Sequence, residues 1–338
     1  MRLKNLFGFA LVTSVFITSC SKTSTDSNST TGNWIKRSEF EGVARAEAVS
    51  FVVNDIAFVA TGYDGTKRLK DLWQYDATSD FWTQKADLPG VARSSGVAFA
   101  TTTKGYVGTG YDGTDKLKDF WEYDPATNSW AQKADFAGSA RYDAVAFAIA
   151  DNGYISTGFD GNYLKDMWRY NPATNTWSQE VSMGGSKRSQ AVAFVYNNKA
   201  YITTGSNNGT TVNDLWEYDP SKSASGTPWT EKRKISNVSD DSYDDAYNIV
   251  RNNAVAFVAG DKAYISTGNN SSYLKTTWEY DFANDVWTVR SPFEGTERDG
   301  AVAFTAKTRG YIVTGKNSTY YFDDIFQFRP DETLDTND

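Results

Sequence analysis

Carboxylates are the groups with which this sequence could do acid–base chemistry. It holds 42 acidic residues, 34 basic ones and no histidine. Without imidazole, Ser-His-Asp and Cys-His catalysis are excluded, as are histidine-ligated zinc, copper or iron sites. The single cysteine, Cys20, excludes an internal disulfide and a cysteine-cluster metal site. The densest acidic group is Asp240, Asp241, Asp244 and Asp245, set around Tyr243 and Tyr247 in "ISNVSDDSYDDAYNIV", residues 235–250. Its spacing is not that of a recognised calcium loop. It reads as a binding loop or a tolerated surface insertion. The expectation is no metal and no cofactor.

Other candidate residues become visible only against the spacing of the chain. Arg-x-x-(Ala/Gly)-Val-(Ala/Ser)-Phe begins at Arg45, Arg93, Arg141, Arg188, Arg251 and Arg298. Sixteen residues after each Arg comes Thr-Gly, at Thr61, Thr109, Thr157, Thr204, Thr267 and Thr314. An aromatic residue follows at Trp73, Trp121, Trp168, Trp216, Trp278 or Phe326, usually inside Asp-Leu-Trp-x-Tyr-Asp. A second Trp stands at Trp82, Trp130, Trp177, Trp229 and Trp287. With Trp34 these positions account for all eleven tryptophans, so Trp is a fold element here.

Each repeat reads as four short strands, lettered a to d, with Asp-Pro or Asn-Pro turns such as "YDPATNSW" between c and d. Such a unit cannot bury both its faces alone, but a ring of them can. The sixth copy lacks its second Trp, and Trp34 stands eleven residues before Arg45, the spacing of Trp82 from Arg93. The N-terminal strand is therefore expected to complete the last blade and remove the open edges.

The Arg that opens strand a, the aromatic strand b ending in Gly, the "DLWxYDPxTNxW" segment and the period together resemble the kelch family. The resemblance covers residues 33–329 and implies an all-β, six-bladed propeller closed by the N-terminal strand. It departs from kelch in having Thr-Gly where Gly-Gly is usual. Thr suits a strand, so no effect on the fold is expected.

Columns shared by every repeat should serve the fold. The six Arg belong there, with Asp71, Asp119, Asp166, Asp214 and Asp324 as partners and Thr276 in the fifth copy. Columns that differ can encode a ligand. Two residues after each Arg stand Glu47, Ser95, Asp143, Gln190, Asn253 and Gly300, with Tyr142 beside Asp143. After each Thr-Gly stand Tyr63, Tyr111, Phe159, Ser206, Asn269 and Lys316. The resemblance implies ligand contacts from these two columns, on the face shared by the d–a and b–c connections. Aromatic rings, amides and carboxylates there suit a sugar or a peptide. The 235–250 stretch adds eleven residues to one d–a connection, so Tyr243 and Tyr247 are expected near the same mouth.

The first twenty residues, "MRLKNLFGFALVTSVFITSC", read as an export signal ending in a lipobox-like Ile17-Thr18-Ser19-Cys20. The expected organisation is signal 1–19, flexible tether 20–32, propeller 33–330 and acidic tail 331–338. Lipid on Cys20 would be the sole membrane contact. The expected location is the bacterial cell envelope, at the outer membrane. Arg2 and Lys4 leave with the signal, so the overall charge of −8 becomes −10, which disfavours nucleic acid.

The leading functional expectation is a non-enzymatic recognition module for a glycan or protein partner. One alternative is a sugar mutarotase or epimerase similar to sialic-acid mutarotases, with Glu47 and Asp143 as acid and base. Another is a structural or assembly dock. Galactose oxidase shares the kelch propeller, but its copper site uses histidines and a Tyr–Cys crosslink, so no copper oxidase activity is expected.

Overall fold

The computed structural model describes residues 30–337, which form six four-stranded antiparallel sheets around one axis. In blade 1, strand a is Val49–Val53, b is Ile56–Ala60, c is Leu72–Asp76 and d is Phe81–Lys85. The same order recurs in blades 2 to 5. Blade 6 is built from both ends of the chain, because Thr31–Lys36 pairs antiparallel with Ile325–Thr333 as its strand d. Ring closure is as the sequence predicts. The last strand runs through Thr333, and Leu334 N–H donates to Thr30 at 2.9 Å, so the propeller takes in the start of the expected acidic tail. The leader and Cys20 lie outside the described residues.

Burial follows position in the blade. Strand a alternates buried and half-buried residues, since one face lines the axis. Strand b is buried almost throughout, because neighbouring blades cover both its faces. Aromatic residues cross the seams. Phe51 stacks on Phe58 at 5.0 Å, and Tyr123 of the next blade meets Phe58 at 5.4 Å and its own Trp130 at 4.9 Å. Tyr75 against Tyr311 at 5.7 Å makes the equivalent contact across the closing seam. These offset and edge contacts add to the burial of large rings.

A further regularity lies six residues past each strand-d Trp. Phe40, Leu88, Phe136, Met183, Ile235 and Phe293 stand there, each at most 3% exposed. Each plugs the outer part of the next blade, as Phe40 does against Trp73 and Trp82.

The repeat Arg are fully buried and bind structure. Arg93 Nη1 and Nη2 each meet Asp119 at 2.6 Å, Nε donates to Val91 O and Nη1 to Thr109 O. Trp121 Nε1 donates to the same carboxylate at 2.7 Å. Arg45, Arg141, Arg188 and Arg298 pair likewise with Asp71, Asp166, Asp214 and Asp324. Arg251 has no carboxylate. Its Nη2 donates to Thr276 Oγ1 at 2.9 Å, and burial lowers its pKa to about 9. Trp278 Nε1 is buried there without a hydrogen-bond partner among the described residues.

The Thr of Thr-Gly departs from the sequence expectation. Thr61, Thr109, Thr157, Thr204, Thr267 and Thr314 are not strand residues but sit at left-handed φ, between 52° and 65°. That region is costly for a β-branched residue and natural for Gly. Each carbonyl accepts from the Arg of its own repeat, and each hydroxyl is buried without a partner among the described residues.

Candidate functional site

The axis narrows at the face carrying the d–a and b–c connections. Glu47, Ser95, Asp143, Gln190, Asn253 and Gly300 all adopt left-handed φ, between 49° and 61°. This turns each backbone N–H toward the preceding blade. Ser95 N–H donates to Glu47 O at 2.8 Å, Asp143 to Ser95 at 3.0 Å and Gln190 to Asp143 at 2.9 Å. Asn253 donates to Gln190 at 3.1 Å, Gly300 to Asn253 at 3.1 Å and Glu47 to Gly300 at 2.7 Å. Six main-chain bonds thus close a ring around the axis, one per blade.

The ring sets the side chains as well. With the small residue that follows each of them, the ring residues line an axial pocket of about 110 Å³. Beneath it runs a narrow channel of about 210 Å³, walled mainly by Ala and Val of the strands a. Gly300 shows that the backbone accepts glycine at a ring position. Five ring positions nonetheless carry polar side chains in a conformation that glycine adopts at lower cost.

A second tier stands on the ring. The residue after each Arg bridges to the residue after each Thr-Gly: Ala46 to Tyr63, Ser94 to Tyr111, Tyr142 to Phe159, Ser189 to Ser206, Asn252 to Asn269 and Asp299 to Lys316. The mouth has unlike sides. Over blades 1 to 3 the rings form an arc, with Tyr111–Tyr142 at 5.4 Å, Tyr142–Phe159 at 5.7 Å and Phe159–Tyr163 at 5.1 Å. Arg68 lies over Tyr63 and Tyr111, at 5.1 and 4.7 Å. Over blades 4 and 5 the mouth is amide and hydroxyl, from Ser206, Gln190, Asn253 and Asn269.

Charge gathers at the seam of blades 6 and 1 and across the ring. Lys316 Nζ meets Glu47 Oε1 at 2.8 Å, and Ser95 Oγ donates to Glu47 Oε2 at 3.2 Å. Burial pushes Glu47 up, but Lys316 and the Ser94 and Ser95 hydroxyls outweigh it and hold the carboxyl below its usual range. Asp143 is half-buried. Burial, then the Glu47 charge, push it up to about 7, against hydrogen bonds from Ser95 and Gln190. Burial likewise lifts Asp299 to about 6, with Lys316 opposing. Facing carboxyls of which one stays ionised and one titrates near neutrality can exchange protons with a ligand.

The structure brings together Glu47, Tyr63, Tyr111, Tyr142, Asp143, Phe159, Gln190, Asn253, Asn269 and Lys316. It does not bring Tyr243 and Tyr247 to the mouth, and that expectation is corrected. Tyr247 is 7% exposed, packs on Trp278 and accepts from Trp287 N–H at 3.0 Å. Tyr243 lies under Arg233 at 4.5 Å. The insertion folds over the outer strands of blade 5, pinned at its base where Ile249 N–H donates to Ile235 O. Asp244 is fully buried and accepts from Ser239 Oγ at 2.9 Å. Among the described residues no group of three or more acidic or cysteine side chains is placed to hold a metal ion.

Sequence reasoning missed Asp299, Tyr163, Arg68 and Tyr321, which meets Tyr63 at 6.0 Å. Asp299 shares the column of Tyr142, and comparing that column across all six repeats would have found it.

The KLHDC2/KLHL20/DRC7 Kelch-repeats domain model matches residues 135–296. No curated protein matches the chain. A solved structure titled "Structure of YjhT" matches with a TM-score of 0.70, over 85% of this chain and 95% of its own, at 16% identity. That likeness is one of fold. The chain is thus a six-bladed β-propeller with a strand-a Arg in each repeat, and its residues 135–296 match a Kelch-repeats domain.

Proposed function

We propose that this protein is a non-enzymatic recognition module that holds a glycan at the mouth of its channel. The observation that carries the reading is the ring: five different polar side chains are kept at left-handed φ around one pocket, where Gly300 shows glycine to be accepted. The aromatic arc supplies flat faces for a sugar ring, and the amide side supplies donors and acceptors for its hydroxyls. In this reading the protein sits in the cell envelope, tethered by lipid on Cys20. Thr31 shares a cleft with Gly260 and Thr308 of the a–b turns, on the face opposite the mouth. A tether entering there would leave the mouth facing away from the membrane.

Glycine substitution tests this without disturbing the ring's backbone. Gln190→Gly with Asn253→Gly should fold as well as wild type and lose binding on a glycan array. Undiminished binding would sink the proposal. Binding of a protein and of no glycan would favour a dock instead.

The pairing of Glu47 with Asp143 favours a second reading, a sugar mutarotase using them as base and acid. Anomer exchange by NMR that is faster than buffer and slowed by Asp143→Asn would support it. Exchange at the buffer rate excludes it for the sugar tested.

A further inference from the structure

We infer that the axial pocket takes a protonated amine, so that the preferred glycan carries free amino sugars rather than N-acetylated or acidic ones. This deepens the proposed glycan reading and rests on it. Glu47 and Asp143 line the axial pocket, and beside it Asp299 bridges to Lys316. Lys316 is engaged by Glu47 at 2.8 Å. Asp299 is 7% exposed, and its Oδ1 has no hydrogen-bond donor among the described residues. The mouth therefore holds unsatisfied acceptor capacity, and an entering ammonium would draw the proton off Asp143 and pair with the carboxylate it leaves.

Size narrows the choice. The pocket of about 110 Å³ has room for about three or four waters, too little for a whole sugar ring. It fits one substituent, and its walls carry the Asp143 carboxyl and the Gln190 and Asn253 amides, whose oxygens can accept. An ammonium carries three donors and no acceptor, which matches such walls. An N-acetyl group is bulkier and uncharged, and a sugar carboxylate would face the Glu47 carboxylate with like charge and raise the cost of ionising Asp143 further.

The platform lies beside the acceptor in the chain. Tyr142, in the middle of the aromatic arc, immediately precedes Asp143 on the ring. A hexosamine lying on Tyr142, with Tyr111 and Phe159 inclined on either side, presents its amino edge to the axis.

The test is calorimetric titration of wild type and Asp143→Asn with a β-1,4-linked glucosamine tetramer and its fully N-acetylated counterpart. A lysine-containing tripeptide with blocked ends is a third ligand. Asn tolerates left-handed φ, so the variant should fold; Asp143→Gly is the second variant should it not. Wild type should bind the free-amine tetramer about tenfold tighter or more, as a charge-assisted hydrogen bond allows. In the variant that ratio should fall to near one. Equal or tighter binding of the acetylated tetramer by wild type would overturn the amine inference and leave the glycan reading standing. Binding of neither sugar by folded protein would overturn both. If the peptide alone then bound, and Asp143→Asn weakened it, the occupant would be a protein's amine.

Discussion

Between about pH 4 and pH 7 Asp143 keeps a proton in the folded protein that the unfolded chain gives up. Burial and the Glu47 charge hold its carboxyl at about 7, against about 3.9 for a free aspartate. The folded state binds more protons over this range, so this residue makes stability fall as pH rises through it. Asp143→Asn removes the term. It should equal wild type in stability near pH 4 and exceed it at pH 8 by about 1–2 kcal/mol, after allowance for water in the channel. Urea unfolding at the two pH values measures this; a variant no more stable at pH 8 would show that the carboxyl is not desolvated. The columns of Glu47 and Asp143 could be read from the repeat. Their left-handed backbone could not, because Glu, Ser and Gln carry no local signal for it and only the closed ring of bonds imposes it.

Blade 5 departs from its siblings at two linked positions. Elsewhere a Gly stands three residues before the Arg, and a side chain there would crowd the Arg–Asp–Trp group. A Cβ on Gly90 would lie 2.7 Å from Arg93 Nη2, 2.8 Å from Asp119 Oδ2 and 2.8 Å from Trp121 Nε1. Blade 5 has Asn248 at that position and Thr276 in place of the Asp. Among the described residues Arg251 is thereby left without a counter-charge and Trp278 Nε1 without an acceptor. Thr276→Asp alone should gain little, since the new carboxylate meets Asn248. Asn248→Gly with Thr276→Asp should be more stable than the sum of the single changes by about 2 kcal/mol. A thermal or urea double-mutant cycle measures this, and additive singles would show that the two positions do not touch. The insertion itself was misplaced from sequence for a related reason. Residues 236–246 have no counterpart in other repeats, so nothing local indicates that Tyr247, which follows them, turns inward onto Trp278 and Trp287.

The ring as a whole depends on its one seam. Trp34 is fully buried against Phe257, Phe293 and Phe328, with centroids 6.2, 5.1 and 4.6 Å away. Trp34→Ala should cost about 3–5 kcal/mol in a denaturant titration, as large buried aromatics do. Deleting residues 30–36 should also expose the edge of Ile325–Thr333 and yield oligomers on size exclusion. A monomeric deletion as stable as wild type would mean that the ring does not need this strand.

The sequence by itself determined the propeller, its blade number and its closure, because six copies of one strand pattern amplify a signal that a single copy carries weakly. It also determined which columns vary at the mouth. Only the tertiary structure decided what those columns face. Asp143 meets Glu47 across Ser95, Lys316 reaches Glu47 from the far end of the chain, and the aromatic rings gather on one side. Such contacts join residues of different blades, and their distances are set by the closing of the ring rather than by any local stretch of chain.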